Sequence, residues 1–324
     1  MAERKGATRR VVMLSGGAGS WGAARRTIAR HGRKGLTLLF ADTLIEDEDL
    51  YRFLLEAVAN LTSYRIPPGL LARTVAIPSL EEGRHRRDHL LALAAEANQW
   101  CPALEWIAEG RDPHQVFAEV RYLGNTRVDP CSALLKRRFI RRWLEENRDP
   151  AETVAVIGYD WSEIHRLERA QGHWAPWRVE APLCEKPYLD KEEVLGWMEA
   201  EGLRAPRLYG EGFRHNNCGG FCVKGGQASF ALLLRKHPDR YRYHERREQE
   251  LRRRLGKDVA ILRDRRGGVT RPLTLLSFRR RLECDAGDFK RGEWGACSCM
   301  EASSEGKRGR RRPRRLRNEE DRRG

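Results

Sequence analysis

The sequence has no long apolar run. Its longest strand-like apolar stretch, residues 36–41, is far shorter than the roughly 20 residues that cross a bilayer. After the charged start, only the residues VVML precede the first glycine turn, too few for the apolar centre of a signal peptide. We therefore expect a cytoplasmic protein without a membrane partner.

Acidic residues are outnumbered by basic ones. The chain has 46 Asp and Glu against 62 Lys and Arg among 324 residues, a formal net charge of +16. A basic surface attracts polyanions, so DNA or tRNA is an expected partner, although an arginine-rich composition alone would give the same count. Part of the excess lies in residues 305–324, which have too few apolar residues to offset the entropy cost of ordering.

Hydrophobic patterning predicts an α/β fold. Strands are expected at residues 10–14, 36–42, 73–78 and 153–158. Helices are expected at residues 19–31, 47–61, 89–97, 130–146, 191–202 and 226–238, followed by a highly charged helical segment from Tyr241. Because strands and helices alternate up to about residue 160, we expect a parallel sheet with helices on both faces.

The same pattern divides the chain into four parts. We expect a disordered N-terminus (1–9), an α/β core (10–180), a cysteine-bearing helical C-terminal region (181–300) and a disordered basic tail (301–324).

A glycine-rich turn, SGGAGS at residues 15–20, lies between the first strand and the first helix. Glycines let the backbone approach a ligand closely, and the N-terminus of a helix points N–H groups at an anion. Gly17, Gly19 and Gly22 match the dinucleotide pattern G-x-G-x-x-G, with Asp42 twenty residues later. A Walker A loop is excluded because Ala23 stands where that loop has lysine.

The turn also matches S-G-G-x-x-S, and so resembles the pyrophosphate loop of the adenine nucleotide alpha-hydrolase superfamily. Four further segments follow in the order found in its phosphoadenosine phosphosulfate (PAPS) reductase-like family. They are DPCSALLKR (129–137), IGYDWSEIHRLER (157–169), the stretch from VEAPL to LYGEGF (179–213), and RHNNCGGFCVKGGQ (214–227). The resemblance spans roughly residues 10–240, and we favour it over the dinucleotide pattern.

The resemblance implies a Rossmann-like core of the adenine nucleotide alpha-hydrolase type that binds ATP or a PAPS-like nucleotide. The residues implied in nucleotide binding are Ser15, Gly16, Gly17, Ala18, Gly19, Ser20 and Asp42. Lys136 and Arg137 are the implied catalytic residues, since each could balance charge on the α-phosphate. Related ATP pyrophosphatases usually carry an acid where Gly19 stands, which weakens the case for Mg²⁺ bound at the loop.

Each of these residues also has a structural interpretation. Asp42 could cap a turn, and Lys136 and Arg137 could lie on a solvated helix face. Glu163 and Arg166 are spaced for an ion pair on one helix face. The tryptophans at 161, 174 and 177 could stack on a base or pack in the core.

The chain has eight cysteines, and without an export signal these favour metal ligands over disulfides. Four thiolates can hold zinc or an iron–sulfur cluster. One candidate set, taken from the family-like segments, is Cys131, Cys184, Cys218 and Cys222. The second set pairs Cys218 and Cys222 with Cys297 and Cys299, and a chain without metal is the third possibility.

The function that these features favour is sulfur transfer or nucleotide activation by an enzyme that uses an adenine nucleotide, with nucleic acid as a potential substrate. A true sulfonucleotide reductase is an alternative, but the chain has no C-terminal motif of the ECGLH type. Two further hypotheses are a non-enzymatic, metal-stapled nucleic-acid-binding protein and an NAD enzyme.

Overall fold

Five parallel strands form the central sheet of the computed structural model, which describes residues 8–284. The spatial order is β3-β2-β1-β4-β5. The strands are β1 (Arg9–Leu14), β2 (Leu36–Asp42), β3 (Leu104–Ala108), β4 (Thr153–Val156) and β5 (Arg178–Glu180). Central β1 pairs with β2 on one side and β4 on the other, with Val11 opposite Thr37 and Ala155. The predicted parallel sheet flanked by helices is therefore confirmed.

The two edge strands differ from the sequence-based expectation. The strand expected at residues 73–78 is wrong, because Arg73 ends helix α3 (Pro68–Arg73) and Val75 is 86% exposed. The strand that pairs with β2 is instead β3, whose run LEWIA includes the half-buried Glu105. β5 has only three residues and no fully buried one. Edge strands are short and partly solvated, so their apolar signal is weak.

The helices before the sheet's last strand are α1 (Ala18–His31), α2 (Glu48–Thr62), α3, α4 (Gly83–Trp100), α5 (Pro113–Glu119), α6 (Pro130–Ser132), α7 (Phe139–Asn147) and α8 (Leu167–Trp174). After the sheet come α9 (Lys191–Ala200), α10 (Arg207–Gly210), α11 (Gly226–Lys236), α12 (Pro238–Leu255) and α13 (Leu275–Cys284). A π-helical turn, Ala133–Arg138, joins α6 to α7. The antiparallel pair β6 (Leu262–Asp264) and β7 (Arg271–Leu273) precedes α13.

Each face of the sheet is covered by its own apolar cluster. Alternate residues of a strand point to opposite faces, so Val12 and Leu14 join one cluster while Val11 and Met13 join the other. Helices α1, α2, α4 and α9 cover the first face, and α7 and α8 cover the second. Strands buried on both faces are mostly apolar, which is why β1 and β2 are recognisable from the sequence.

A third cluster holds the C-terminal helices together and includes Phe221, Phe230, Tyr241 and Phe278. It also takes in Phe117 and Leu135, which precede β4 in the chain. The segment from Leu183 to Leu203 packs instead on the sheet. No helix within residues 8–284 is long and apolar enough to cross a bilayer. The predicted basic tail, Cys297 and Cys299 lie outside the described residues.

Candidate functional site

The glycine turn lies between β1 and α1, where the strand order reverses from β2 on one side to β4 on the other. Open α/β sheets bind their ligands at this position. Two serines hold the turn in shape. Ser20 Oγ donates a hydrogen bond to Gly17 O (2.9 Å) and accepts one from Ser15 N (3.1 Å). Ser15 Oγ also donates to Ser20 Oγ at 3.2 Å.

Two glycines let α1 approach the end of β4. A Cβ on Gly19 would lie 2.7 Å from Gly158 O, and a Cβ on Gly158 would lie 2.6 Å from Ser20 N. Both contacts involve backbone atoms, so no side-chain movement can relieve them. Gly158 belongs to one of the family-like segments, but the sequence carries no sign of this contact, because the two glycines are far apart in the chain.

Tyr209 and Asn216 cover the glycine turn in this structure. Tyr209 Oη accepts a hydrogen bond from Ala18 N at 3.2 Å and lies 2.8 Å from where a Cβ on Gly17 would be. Asn216 Nδ2 donates to Gly16 O at 2.7 Å. Gly16, Gly17 and Ala18 are buried, while Ser15 and Gly19 are half-buried. A phosphate could reach the Ala18 N–H group only if Tyr209 moved.

Lys191 lies next to this tyrosine, and Arg214 lies close enough to Lys191 to affect its charge. Lys191 Nζ is 4.4 Å from the centre of the Tyr209 ring. Burial, the largest cause, lowers the pKa of Lys191 to about 8, with Glu192 opposing the shift and Arg214 adding to it. At neutral pH most of the lysine still carries its charge. Nothing in the spacing of these residues along the sequence indicates their proximity to the turn.

Asp42 lies at the end of β2 and is 1% exposed. Its carboxylate accepts hydrogen bonds from Leu44 N (2.7 Å), Tyr51 Oη (3.1 Å) and Trp106 Nε1 (3.2 Å). Burial, and then repulsion from Glu46, raises the pKa of Asp42 to about 6. These contacts are those of a buried turn residue, and a role in binding adenosine stays a prediction.

Lys136 and Arg137 are buried rather than solvated, each 4% exposed. They belong to the π-helical turn. Lys136 Nζ donates to Glu46 Oε1 at 3.2 Å. Arg137 Nη1 donates to Asp129 Oδ2 (3.2 Å) and Ser132 Oγ (3.1 Å). A π-helical turn is uncommon and is often found at functional sites.

Glu46 connects several parts of the site, and no motif in the sequence points to it. Its side chain is fully buried. It accepts hydrogen bonds from Thr43 Oγ1 (2.9 Å), from Lys136 Nζ and from Cys218 N. A buried carboxylate needs such partners, because an unpaired buried charge is very costly. Glu46 therefore holds the lysine and the cysteine segment against the loop that follows β2.

A small pocket with a cavity volume of about 20 Å³ lies next to this carboxylate. Three of the four cysteines in the first predicted set line it together with Lys136. The lining residues are Thr43, Pro113, Asp129, Cys131, Ser132, Lys136, Cys218, Phe221, Cys222, Val223 and Lys224. The cysteine segment also reaches the glycine turn, through Asn216. The structure thus brings Cys131, Cys218 and Cys222 to one pocket beside the predicted phosphate site.

Cys184, the fourth member, does not line this pocket. Its thiol donates to Asp160 O at 3.2 Å. Burial, followed by the charge of Asp160, raises the pKa of Cys184 to about 11. Within residues 8–284, no group of three or more His, Cys, Asp or Glu side chains is gathered closely enough to hold a metal ion.

The structure also shows where the predicted ion pair of Glu163 and Arg166 and the tryptophans at 161, 174 and 177 lie. Glu163 and Arg166 form the predicted ion pair, and the Arg166 guanidinium lies 4.5 Å from the centre of the Tyr159 ring. Trp174 and Trp177 are buried in the cluster on the second sheet face. Trp161 is 47% exposed, so among these tryptophans it is the one that remains open to solvent.

Comparison with known proteins does not assign the chain to a family. No protein-family model matches the sequence, and no curated protein matches it. The resemblance to PAPS reductase-like proteins therefore rests on the sequence motifs of residues 15–20 and 129–227. The structure contributes the α/β fold and the arrangement of the residues around the glycine turn.

Proposed function

We propose that this protein is an enzyme of the pyrophosphate-loop type that binds an adenine nucleotide at residues 15–20 and acts in sulfur transfer or nucleotide activation on nucleic acid. The observation that carries the proposal is the hydrogen bond from Asn216 Nδ2 to Gly16 O. It places the segment of Cys218 and Cys222 directly against the predicted phosphate loop. The strand order, with the loop at its reversal point, supports the same interpretation.

The phosphate groups would be held by the first turn of α1. Backbone N–H groups at a helix N-terminus attract anions, and the Ser15 hydroxyl lies beside them. Lys191 adds positive charge next to Tyr209, and Arg214 lies close enough to Lys191 to lower its pKa. In the proposed binding step a phosphate oxygen replaces the Tyr209 hydroxyl as acceptor for Ala18 N–H.

The chemistry would take place in the neighbouring pocket, whose lining includes Lys136, Cys131, Cys218 and Cys222. An ammonium group close to a thiol favours the thiolate, which is the nucleophilic form. Zinc or an iron–sulfur cluster stays a proposed cofactor for Cys131, Cys218 and Cys222, and Mg²⁺ for the nucleotide. Because the described residues do not gather a metal site, we derive no step through a metal.

The test measures ATP and PAPS binding by calorimetry, together with the release of pyrophosphate from ATP and of sulfite from PAPS. Lys191→Ala should weaken nucleotide binding about tenfold, since it removes a partly buried charge. The matched control is Lys186→Ala, which changes an exposed lysine nearby and should leave the affinity unchanged. Absence of binding to both nucleotides at millimolar concentration would exclude the proposal, and sulfite release would instead identify a sulfonucleotide reductase.

The contacts of Tyr209 and Asn216 with the glycine turn favour one alternative function. In this alternative the chain is a nucleic-acid-binding protein whose loop no longer binds nucleotide. The Tyr209 hydroxyl already accepts the hydrogen bond of Ala18 N–H. A loop that has lost its phosphate ligand would be free to make this contact. This alternative predicts nucleic-acid affinity that survives Gly17→Ala, in a protein that binds neither ATP nor PAPS. The same calorimetric titrations separate the two proposals.

A further inference from the structure

Apart from the half-buried Arg263, the basic side chains between Arg252 and Arg281 fall into two groups. One group is paired with the carboxylates of the region: Arg252 with Asp258, Arg266 and Arg281 with Asp264, and Arg279 with Glu245 and Glu283. The other group is exposed and, among the described residues, has no carboxylate partner. This group, which we call the basic hairpin surface, consists of Arg253, Arg254, Lys257, Arg265, Arg271 and Arg280.

This surface is built on a fixed frame. β6 and β7 pair in an antiparallel register that sets Asp264 opposite Arg271, so Arg265 and Arg271 lie at the same end of the hairpin. The buried Glu248 of α12 accepts hydrogen bonds from Ile261 N (2.9 Å) and Leu275 N (2.6 Å), on either side of the hairpin. Asp264 also binds Arg281 of α13 at 2.7 Å. The hairpin is thus held against two helices.

The composition of the surface indicates which polyanion it would bind. Five of its six cations are arginines, whose planar guanidinium groups match phosphate oxygens with two parallel hydrogen bonds. A two-stranded ribbon also fits a nucleic-acid groove. Apolar side chains beside the cations strengthen binding to a lipid surface. Between residues 252 and 281 the described part shows only Val269 as an exposed large apolar side chain.

We propose that the basic hairpin surface binds the sugar–phosphate backbone of nucleic acid and positions it for the enzyme. The contacts would be to phosphates, so they would provide affinity and orientation without reading sequence. This inference rests on the proposed function for the identity of the substrate, but the surface itself can be tested without any catalysis.

The experiment uses the full chain and fluorescence anisotropy with a 20-nucleotide RNA and a 20-base-pair DNA, each over a range of salt concentrations. The variant Arg265→Ala/Arg271→Ala/Arg280→Ala should lower affinity at least tenfold at low salt. Each phosphate contact that the variant removes should reduce the slope of log affinity against log salt by about 0.9 for duplex and about 0.7 for single strands. The expected total reduction is therefore about 2 to 3.

The control variant, Lys34→Ala/Arg65→Ala/Arg84→Ala, removes the same charge from exposed positions elsewhere and should change affinity much less. Equal losses in the two variants, or an unchanged slope in the hairpin variant, would overturn the proposal. Equal binding of the unmodified chain to polyglutamate or to phosphatidylserine vesicles would also overturn it. ATP titration of the hairpin variant keeps the two proposals separate. Loss of the proposed function would appear as absent ATP binding, whereas failure of the nucleic-acid proposal would appear as an unchanged salt slope.

Discussion

At the scale of single residues, close contact between backbones explains why particular positions are glycine. Gly19 and Gly158 face each other where α1 meets the end of β4, and neither leaves room for a methyl group. A glycine in a phosphate loop is commonly explained by its ligand. Here Gly19 also has a packing role, and it shares that role with a glycine far away in the chain.

Gly158→Ala should therefore lower the free energy of unfolding by about 2–4 kcal/mol, because the new Cβ meets rigid backbone atoms. Gly172→Ala is the matched control. Gly172 lies in α8, and no atom lies within 4 Å of the place that an added methyl group would take, so that substitution should be neutral or stabilise by up to about 1 kcal/mol. Urea denaturation measures the free energy of unfolding of both variants. An unchanged stability of Gly158→Ala would show that the backbones of α1 and residue 158 do not lie this close together.

Tyr209 offers a second test at this scale. Its hydroxyl competes with a phosphate oxygen for the Ala18 N–H group. Tyr209→Phe removes the competing acceptor and retains the ring over which Lys191 lies, so ATP affinity should rise about three- to tenfold, the effect of one hydrogen bond. Calorimetry measures this. A lower affinity would mean that the hydroxyl itself contacts the nucleotide.

At the scale of secondary-structure elements, the π-helical turn between α6 and α7 determines where two buried cations lie. The sequence predicts one helix over residues 130–146, and the helical character is observed, with the turn at Ala133–Arg138 inserted. Lys136 reaches the carboxylate of Glu46 on the loop after β2, while Arg137 binds Asp129 and Ser132 beside it. The element thus sets Lys136 in the lining of the pocket and pairs Arg137 with two residues, Asp129 and Ser132, that also line it.

Lys136→Met should cost about 3–5 kcal/mol of stability, because it leaves Glu46 buried without its cation. Combining it with Glu46→Gln should recover at least half of that loss, since no uncompensated charge then remains. A double-mutant cycle in urea measures the coupling. If the two losses were simply additive, the ion pair would not be what holds the loop to the turn.

At the scale of the whole molecule, acidic residues at the start of α2 join the sheet to the C-terminal helices. Glu48 binds Arg86 of α4 at 2.8 Å and Arg240 of α12 at 2.7 Å. Arg207, two residues before Tyr209 in the chain, binds Asp47 at 2.8 Å. These ion pairs connect the apolar cluster of the first sheet face to that of the C-terminal region.

Acid should weaken this connection. Burial alone would raise the pKa of Glu48, but Arg240 and Arg86 outweigh it and lower the pKa to about 2. A carboxylate with a depressed pKa stabilises the fold fully above its unfolded pKa, near 4.5, and loses that contribution as pH falls towards 2. Glu48→Gln should therefore cost about 2 kcal/mol at pH 7 and progressively less below pH 4.5.

Denaturation series at several pH values between 7 and 3 measure this difference. Glu199→Gln, at an exposed position on α9, provides the control and should show no such dependence. A difference between Glu48→Gln and the unmodified chain that stays constant with pH would contradict the assignment of Glu48.

The sequence by itself determined the central strands, most of the helices and the glycine turn, because each of these is encoded by neighbouring residues. β1 contains the apolar run of residues 11–14, β2 contains that of residues 38–41, and the turn SGGAGS follows directly after β1. Only the tertiary structure decided the partners of the turn. The position of Tyr209 over Ala18, the role of Glu46 and the separation of Cys184 from the other three thiols depend on contacts between distant parts of the chain. Such contacts arise from packing and leave no periodic signal in the sequence.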